Sequence, residues 1–214
     1  RIDLPEALPP MAAGVFGYLG YDMVRQMERL GPPNPDALGI PDATLMRPIL
    51  MVVFDAVRDE IIVLTPVRPS PSISAKQAWE TAQERLDSVV AALDAPLPQT
   101  APPADHAAIV PPASNTSEAD YLAMVAKAKD YIRAGDIFQV VVSQRFETPF
   151  ALPAFSLYRA LRRINPSPFL CYLDFRDFQI VCSSPEILVR VAEGKVTIRP
   201  IAGTRWRSDV KAED

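Results

Sequence analysis

Phe169-Leu170-Cys171-Tyr172-Leu173-Asp174-Phe175-Arg176-Asp177-Phe178-Gln179-Ile180-Val181-Cys182 is the stretch on which the fold turns. Two apolar runs, Phe169 to Asp174 and Phe178 to Cys182, flank the turn-forming Asp174-Phe175-Arg176-Asp177 and predict an antiparallel pair of strands. Two further strands, Ile187 to Val191 and Val196 to Arg199, are expected across Ala192-Glu193-Gly194-Lys195. Just upstream, Phe155 to Ile164 has amphipathic helical spacing and is closed by Asn165-Pro166. Helices laid on antiparallel sheet give an α+β fold.

The same reading extends toward the N-terminus. Ser117-Glu118-Ala119-Asp120 is a capped helix start, with Asp120 at the acidic box position. The face Tyr121, Met124, Val125, Ala128, Tyr131 and Ile132 then runs to Gly135, a natural stop. Ile137 to Phe146 predicts one long strand. Asp94 to Ser114 carries Pro96, Pro98, Pro102, Pro103, Pro111 and Pro112 with little apolar bulk, the pattern of a linker. The organisation expected is therefore residues 1–95, a Pro-rich linker over 96–116, and a second segment over 117–214.

In the first segment, Ser74 caps a helix whose face is Trp79, Ala82, Leu86, Val89, Val90 and Leu93. Pro48 to Asp55 and Glu60 to Thr65 predict a hairpin buried on both faces. Asp22 to Leu30 has helical spacing and ends at Gly31-Pro32-Pro33. Before it, Gly14-Val15-Phe16-Gly17-Tyr18-Leu19-Gly20 lacks the spacing of a phosphate loop, so its glycines serve close packing or a strand-to-helix turn.

Composition removes several chemistries. The 214 residues hold 22 Lys+Arg against 26 Asp+Glu, a formal charge of −4, which argues against nucleic acid or an anionic membrane as partner. No apolar run approaches the roughly 18 residues of a membrane span. Cys171 and Cys182 are the only cysteines and His106 the only histidine, so a Cys/His zinc centre is excluded. His106 lies in the Pro-rich stretch, a poor setting for a catalytic base. Arg1 in place of Met, and an ending on Lys211-Ala212-Glu213-Asp214 without a closing element, read as a piece of a longer protein.

Three short constellations stand out by content: Asn165-Pro166-Ser167-Pro168-Phe169-Leu170, Ser183-Ser184-Pro185-Glu186, and Arg199-Pro200-Ile201-Ala202-Gly203-Thr204-Arg205. By physics alone they give a rigid turn, a carboxylate at a strand end and a Gly-Thr corner suited to an anionic or hydroxylated small ligand. Together with Gly135-Asp136-Ile137-Phe138-Gln139-Val140 and Ser143-Gln144-Arg145-Phe146, they resemble the chorismate-utilising enzymes in order and spacing. Within that family the chain is most similar to the component I chains of anthranilate synthases. Gly14 to Asp22 and the Pro48–Leu64 hairpin resemble the same family's N-terminal region.

The resemblance implies an α/β sandwich of antiparallel sheets and a lyase reaction: chorismate and ammonia give anthranilate and pyruvate, the first step of tryptophan biosynthesis, in the cytoplasm. Ala202 stands where aminodeoxychorismate synthases tend to carry Lys, and a methyl cannot attack the ring as an amine would. Gly203 and Thr204 would contact chorismate, and Glu186 would lie beside its ring. Pro168, Phe169 and Leu170 would line a pocket for the feedback inhibitor L-tryptophan. The family usually has Tyr-Met in place of Phe169-Leu170, and Pro and Gly in place of Trp206 and Ser208.

The resemblance also implies Mg²⁺ in the whole enzyme, with its glutamate ligands and a catalytic His expected beyond Asp214. No metal or cofactor is expected in these 214 residues, which are expected to be inactive and to self-associate. The partner implied is a glutamine amidotransferase (component II), fused or separate, that delivers ammonia. The alternatives are aminodeoxychorismate synthase component I and a non-catalytic tryptophan-binding module.

Overall fold

A computed structural model describes residues 4–68, 70–97, 110–201 and 206–212. The chain forms two compact units, Arg1–Thr100 and Ala101–Asp214.

In the first unit, β1 (Phe16–Leu19) pairs antiparallel with β2 (Ala43–Met46). Gly17 faces Leu45 in this ladder, and a Cβ there would sit 1.9 Å from the Thr44 carbonyl oxygen. Only hydrogen fits, so this glycine serves backbone approach. A 3₁₀ helix, Tyr21–Gln26, follows, shorter than the helix expected over Asp22 to Leu30. The expected hairpin is present as β3 (Met51–Asp55) and β4 (Glu60–Leu64), in register from Met51↔Leu64 to Asp55↔Glu60. Asp55 Oδ1 closes its turn by accepting the Val57 and Arg58 amides at 2.9 and 3.1 Å.

Burial of this hairpin on both faces is not observed: Leu64 is buried, whereas Phe54 is 68% and Ile61 53% exposed. Helix α1 (Ala75–Asp94) contacts β4, while Phe54 and Ile61 lie on the face opposite Leu64. Ser74 and Gln77 complete a reciprocal capping box at the start of α1. Ala82 is the buried centre of the helix, and Trp79 is 63% exposed rather than part of a covered stripe.

In the second unit, β5 (Ala113–Ser114) precedes α2 (Glu118–Ala134). Ser117 Oγ accepts the Asp120 amide at 3.1 Å and donates to Asp120 Oδ2 at 2.6 Å. Gly135 ends the helix at φ 81°, a left-handed conformation that favours glycine.

The long strand expected over Ile137 to Phe146 is not formed. Only β6 (Phe146–Glu147) has ladder partners, because β5 offers two residues. A strand is made by its neighbour, and the Val142 carbonyl is instead taken by the Tyr121 hydroxyl at 3.2 Å. Phe138 and Val141 are left 96% and 83% exposed.

α3 (Ala154–Ile164) packs on the hairpin of β7 (Phe169–Asp174) and β8 (Gln179–Ser184). Phe155 and Tyr158 meet Tyr172 at ring-centroid distances of 5.3 and 6.2 Å, which seats the helix on the Tyr172 face of the ribbon. β9 (Arg190–Ala192) and β10 (Lys195–Thr197) form the last ribbon. They are shorter than the runs expected, Ile187–Val191 and Val196–Arg199. Glu193 and Gly194 both have positive φ, the two-residue turn that matches strand twist.

Candidate functional site

The β7–β8 hairpin brings the three sequence constellations together. Its register pairs Phe169 with Ser184 and Leu170 with Ser183, so the Asn165–Leu170 element enters beside the end of β8. Side chains lock the approach. The Ser167 hydroxyl donates to the Ser184 carbonyl, and the Ser183 hydroxyl donates to the Asn165 carbonyl at 3.1 Å. Both prolines around Ser167 remove amide donors and fix φ, so the backbone of this entry is stiff before any ligand arrives.

The chain then turns at Pro185. Ser184 Oγ accepts the Glu186 amide at 3.3 Å and donates to the Glu186 carbonyl at 3.1 Å. The Glu186 carboxylate reaches across to accept the Ile201 amide at 3.0 Å. That bond ties the end of β8 to the segment leading into the Gly-Thr corner.

Between these walls lies a cleft of about 270 Å³, lined by Pro168, Phe169, Pro185, Glu186, Ile187, Arg199, Pro200 and Ile201. Its wall is apolar, with one acidic and one basic side chain. That composition suits a small, partly apolar anion whose carboxylate pairs with a guanidinium.

Of the residues singled out from sequence, Pro168, Phe169 and Glu186 line this cleft. Leu170 does not: strand alternation turns it to the opposite face of β7, the side of Tyr172 and α3. Gly203 and Thr204, with Ala202 and Arg205, lie outside the described residues, as does His106. Sequence reasoning named Arg199 only as the first residue of the third constellation, with no role of its own, and gave none to Ile187; the cleft brings both to the site. The first unit holds a larger hollow of about 450 Å³, bounded by Val67, Arg68, Ser70, Ile73, Ala75, Ala78 and Trp79. It gathers no acid–base pair or sequence constellation.

Among the described residues no three His, Cys, Asp or Glu side chains converge. No helix among them is long and apolar enough to cross a membrane.

The chain matches the chorismate binding enzyme family profile over residues 3–214. It belongs to the chorismate binding enzyme family. It is 51% identical over 214 residues to anthranilate synthase component 1 of Cereibacter sphaeroides, covering 100% of this chain and 43% of that protein. Identity to anthranilate synthase component 1 of Thermus thermophilus is 42% over 208 residues, again covering 43% of the relative. The crystal structure of anthranilate synthase component I from Streptococcus pneumoniae superposes with a TM-score of 0.76 at 32% identity. That match covers 92% of this chain and 44% of the other. The chain thus spans less than half the length of these relatives, and its α+β architecture is that of the matching part of a chorismate binding enzyme.

Proposed function

We propose that the chain is part of an anthranilate synthase component I, a cytoplasmic lyase that takes chorismate and ammonia to anthranilate and pyruvate. One observation carries the reading: the Ser183–Glu186 and Arg199–Ile201 constellations meet at one cleft through the Glu186–Ile201 hydrogen bond. The segment held by that bond continues directly into Ala202-Gly203-Thr204.

In this reading the Arg199 guanidinium pairs with a substrate carboxylate, and the Glu186 carboxylate holds the Ile201 amide, one residue before Ala202-Gly203-Thr204 in the sequence. Gly203 allows close backbone approach to chorismate and Thr204 offers its hydroxyl. Ala202 presents a methyl where an amine would form a covalent adduct, which leaves ammonia as the nucleophile. Ammonia comes from a glutamine amidotransferase partner. Regulation by L-tryptophan is assigned to Pro168 and Phe169, on the wall of the same cleft, and not to Leu170, which faces away from it. Mg²⁺ belongs to the whole enzyme, and no step is assigned to it here.

Product analysis of the whole protein with chorismate and an ammonium salt tests the proposal. Anthranilate supports it; aminodeoxychorismate as the sole product overturns it. The 214-residue chain alone is expected to give no anthranilate fluorescence.

A further inference from the structure

Cys171 and Cys182 are direct partners in the β7–β8 ladder, and both are free thiols of intermediate exposure. Directly opposed residues in an antiparallel pair have Cα atoms about 4.5–5.5 Å apart, within the roughly 4.4–6.8 Å span of a disulfide. The two side chains lie on one face of the ribbon, directly opposite each other. α3 does not cover them. Its aromatic contacts are with Tyr172, on the opposite face, and the thiols share their face with Phe169.

We propose that Cys171 and Cys182 are a reversible oxidation site, closed as a cross-strand disulfide by exchange with a low-mass disulfide such as oxidised glutathione. One cysteine thiolate attacks a sulfur of the oxidant, forming a mixed disulfide and releasing one thiolate, which takes up the first proton. The other cysteine then loses its proton, attacks the protein sulfur and expels the second thiolate. The balance is two protein thiols and one oxidised glutathione in, one protein disulfide and two reduced glutathiones out.

Geometry sets the character of the bond. Cβ atoms directly across an antiparallel pair stand about 4.5–5.5 Å apart, wider than the roughly 3.5–4.5 Å a relaxed disulfide prefers. Closure draws β7 and β8 together and leaves a strained, easily reduced link, a labile bond rather than a structural one. Burial, and the adjoining Cys182 thiol, raise the Cys171 thiol above its ordinary value. Less thiolate is present at neutral pH, so oxidation proceeds faster in alkaline buffer.

The test uses the native chain at low concentration with excess oxidised glutathione, read by thiol titration and peptide mass mapping. The expected result is loss of both free thiols, one Cys171–Cys182 peptide lacking two hydrogens, and full recovery with dithiothreitol. Cys171→Ser and Cys182→Ser should each stop at a glutathione adduct on the remaining cysteine. Three results overturn the proposal: native thiols that persist while the urea-unfolded chain oxidises, a stable glutathione adduct on the wild-type chain, or a disulfide between chains. None of these readouts depends on what the cleft binds.

Discussion

Replacing Glu186 separates its charge from its hydrogen bond. Glu186→Ala removes the acceptor of the Ile201 amide, leaving the path into the Gly-Thr corner without its tie to β8. Glu186 is exposed, so the bond is credited only with the net value of an ordinary solvated hydrogen bond, about 0.5–1.5 kcal/mol. With about 1.4 kcal/mol per factor of ten, hydrogen exchange at the Ile201 amide should accelerate roughly twofold to tenfold. Glu186→Gln keeps a carbonyl oxygen at the same reach without the charge. A charge-assisted bond is about twice as strong as a neutral one, so this variant should lie near the midpoint on a logarithmic scale. The assay is residue-resolved exchange by NMR on the 214-residue chain, with amides in β3 and β4 as internal controls. Unchanged Ile201 exchange in the Ala variant would refute the argument, because the carboxylate would then not hold the Ile201 amide.

Other outcomes follow from features elsewhere. Gly17→Ala places a methyl carbon 1.9 Å from the Thr44 oxygen and 2.9 Å from Leu45 Cα, both backbone atoms that cannot swing aside. The β1–β2 ribbon should lose at least about 1–3 kcal/mol, seen as lost amide protection from Phe16 to Leu19 while α2 and α3 keep theirs. Because the Cys171 pKa is raised on folding, its contribution is fully present below the ordinary value of 9.0 and is lost as pH rises through the folded value. Urea midpoints should therefore fall more steeply between pH 9.0 and the folded value in the wild-type chain than in Cys171→Ser. The exposed apolar side chains of Phe54, Phe138 and Val141 and the open edges of the ribbons should drive self-association of the chain, so a monodisperse monomer by light scattering across concentrations would contradict this.

The parts of the fold legible in the sequence are those specified locally. Ser74 with Gln77, Ser117 with Asp120, and Gly135 mark helix ends through bonds made within one turn. The β7–β8 and β9–β10 turns lie where Asp174–Asp177 and Ala192–Lys195 put them. What failed depended on distant partners. Ile137–Arg145 has every residue preference of a strand, but no described strand lies along it. The β3–β4 runs are apolar enough for two-sided burial, yet one helix contacts them. The same division holds at the site. Pro168, Phe169 and Glu186 belonged to compact motifs that could be named from sequence. Arg199 also stood in a named motif, but without a role of its own, and Ile187 reaches the cleft only through tertiary placement; Leu170 left it because strand alternation is strict.

The β7–β8 hairpin also limits how the gene can vary in length. Its turn is held by Asp174 Oδ1 accepting the Arg176 amide and by the Phe175 amide bonding the Phe178 carbonyl, with Arg176 at φ 72°. A one-codon insertion or deletion that shifted the register by one residue would flip every side chain of a strand through the sheet. Phe169 would then turn toward α3, and Tyr172 would leave its aromatic neighbours. Length polymorphism within this hairpin should therefore be tolerated only in steps that restore the pairing, a constraint readable directly from in-frame indel libraries.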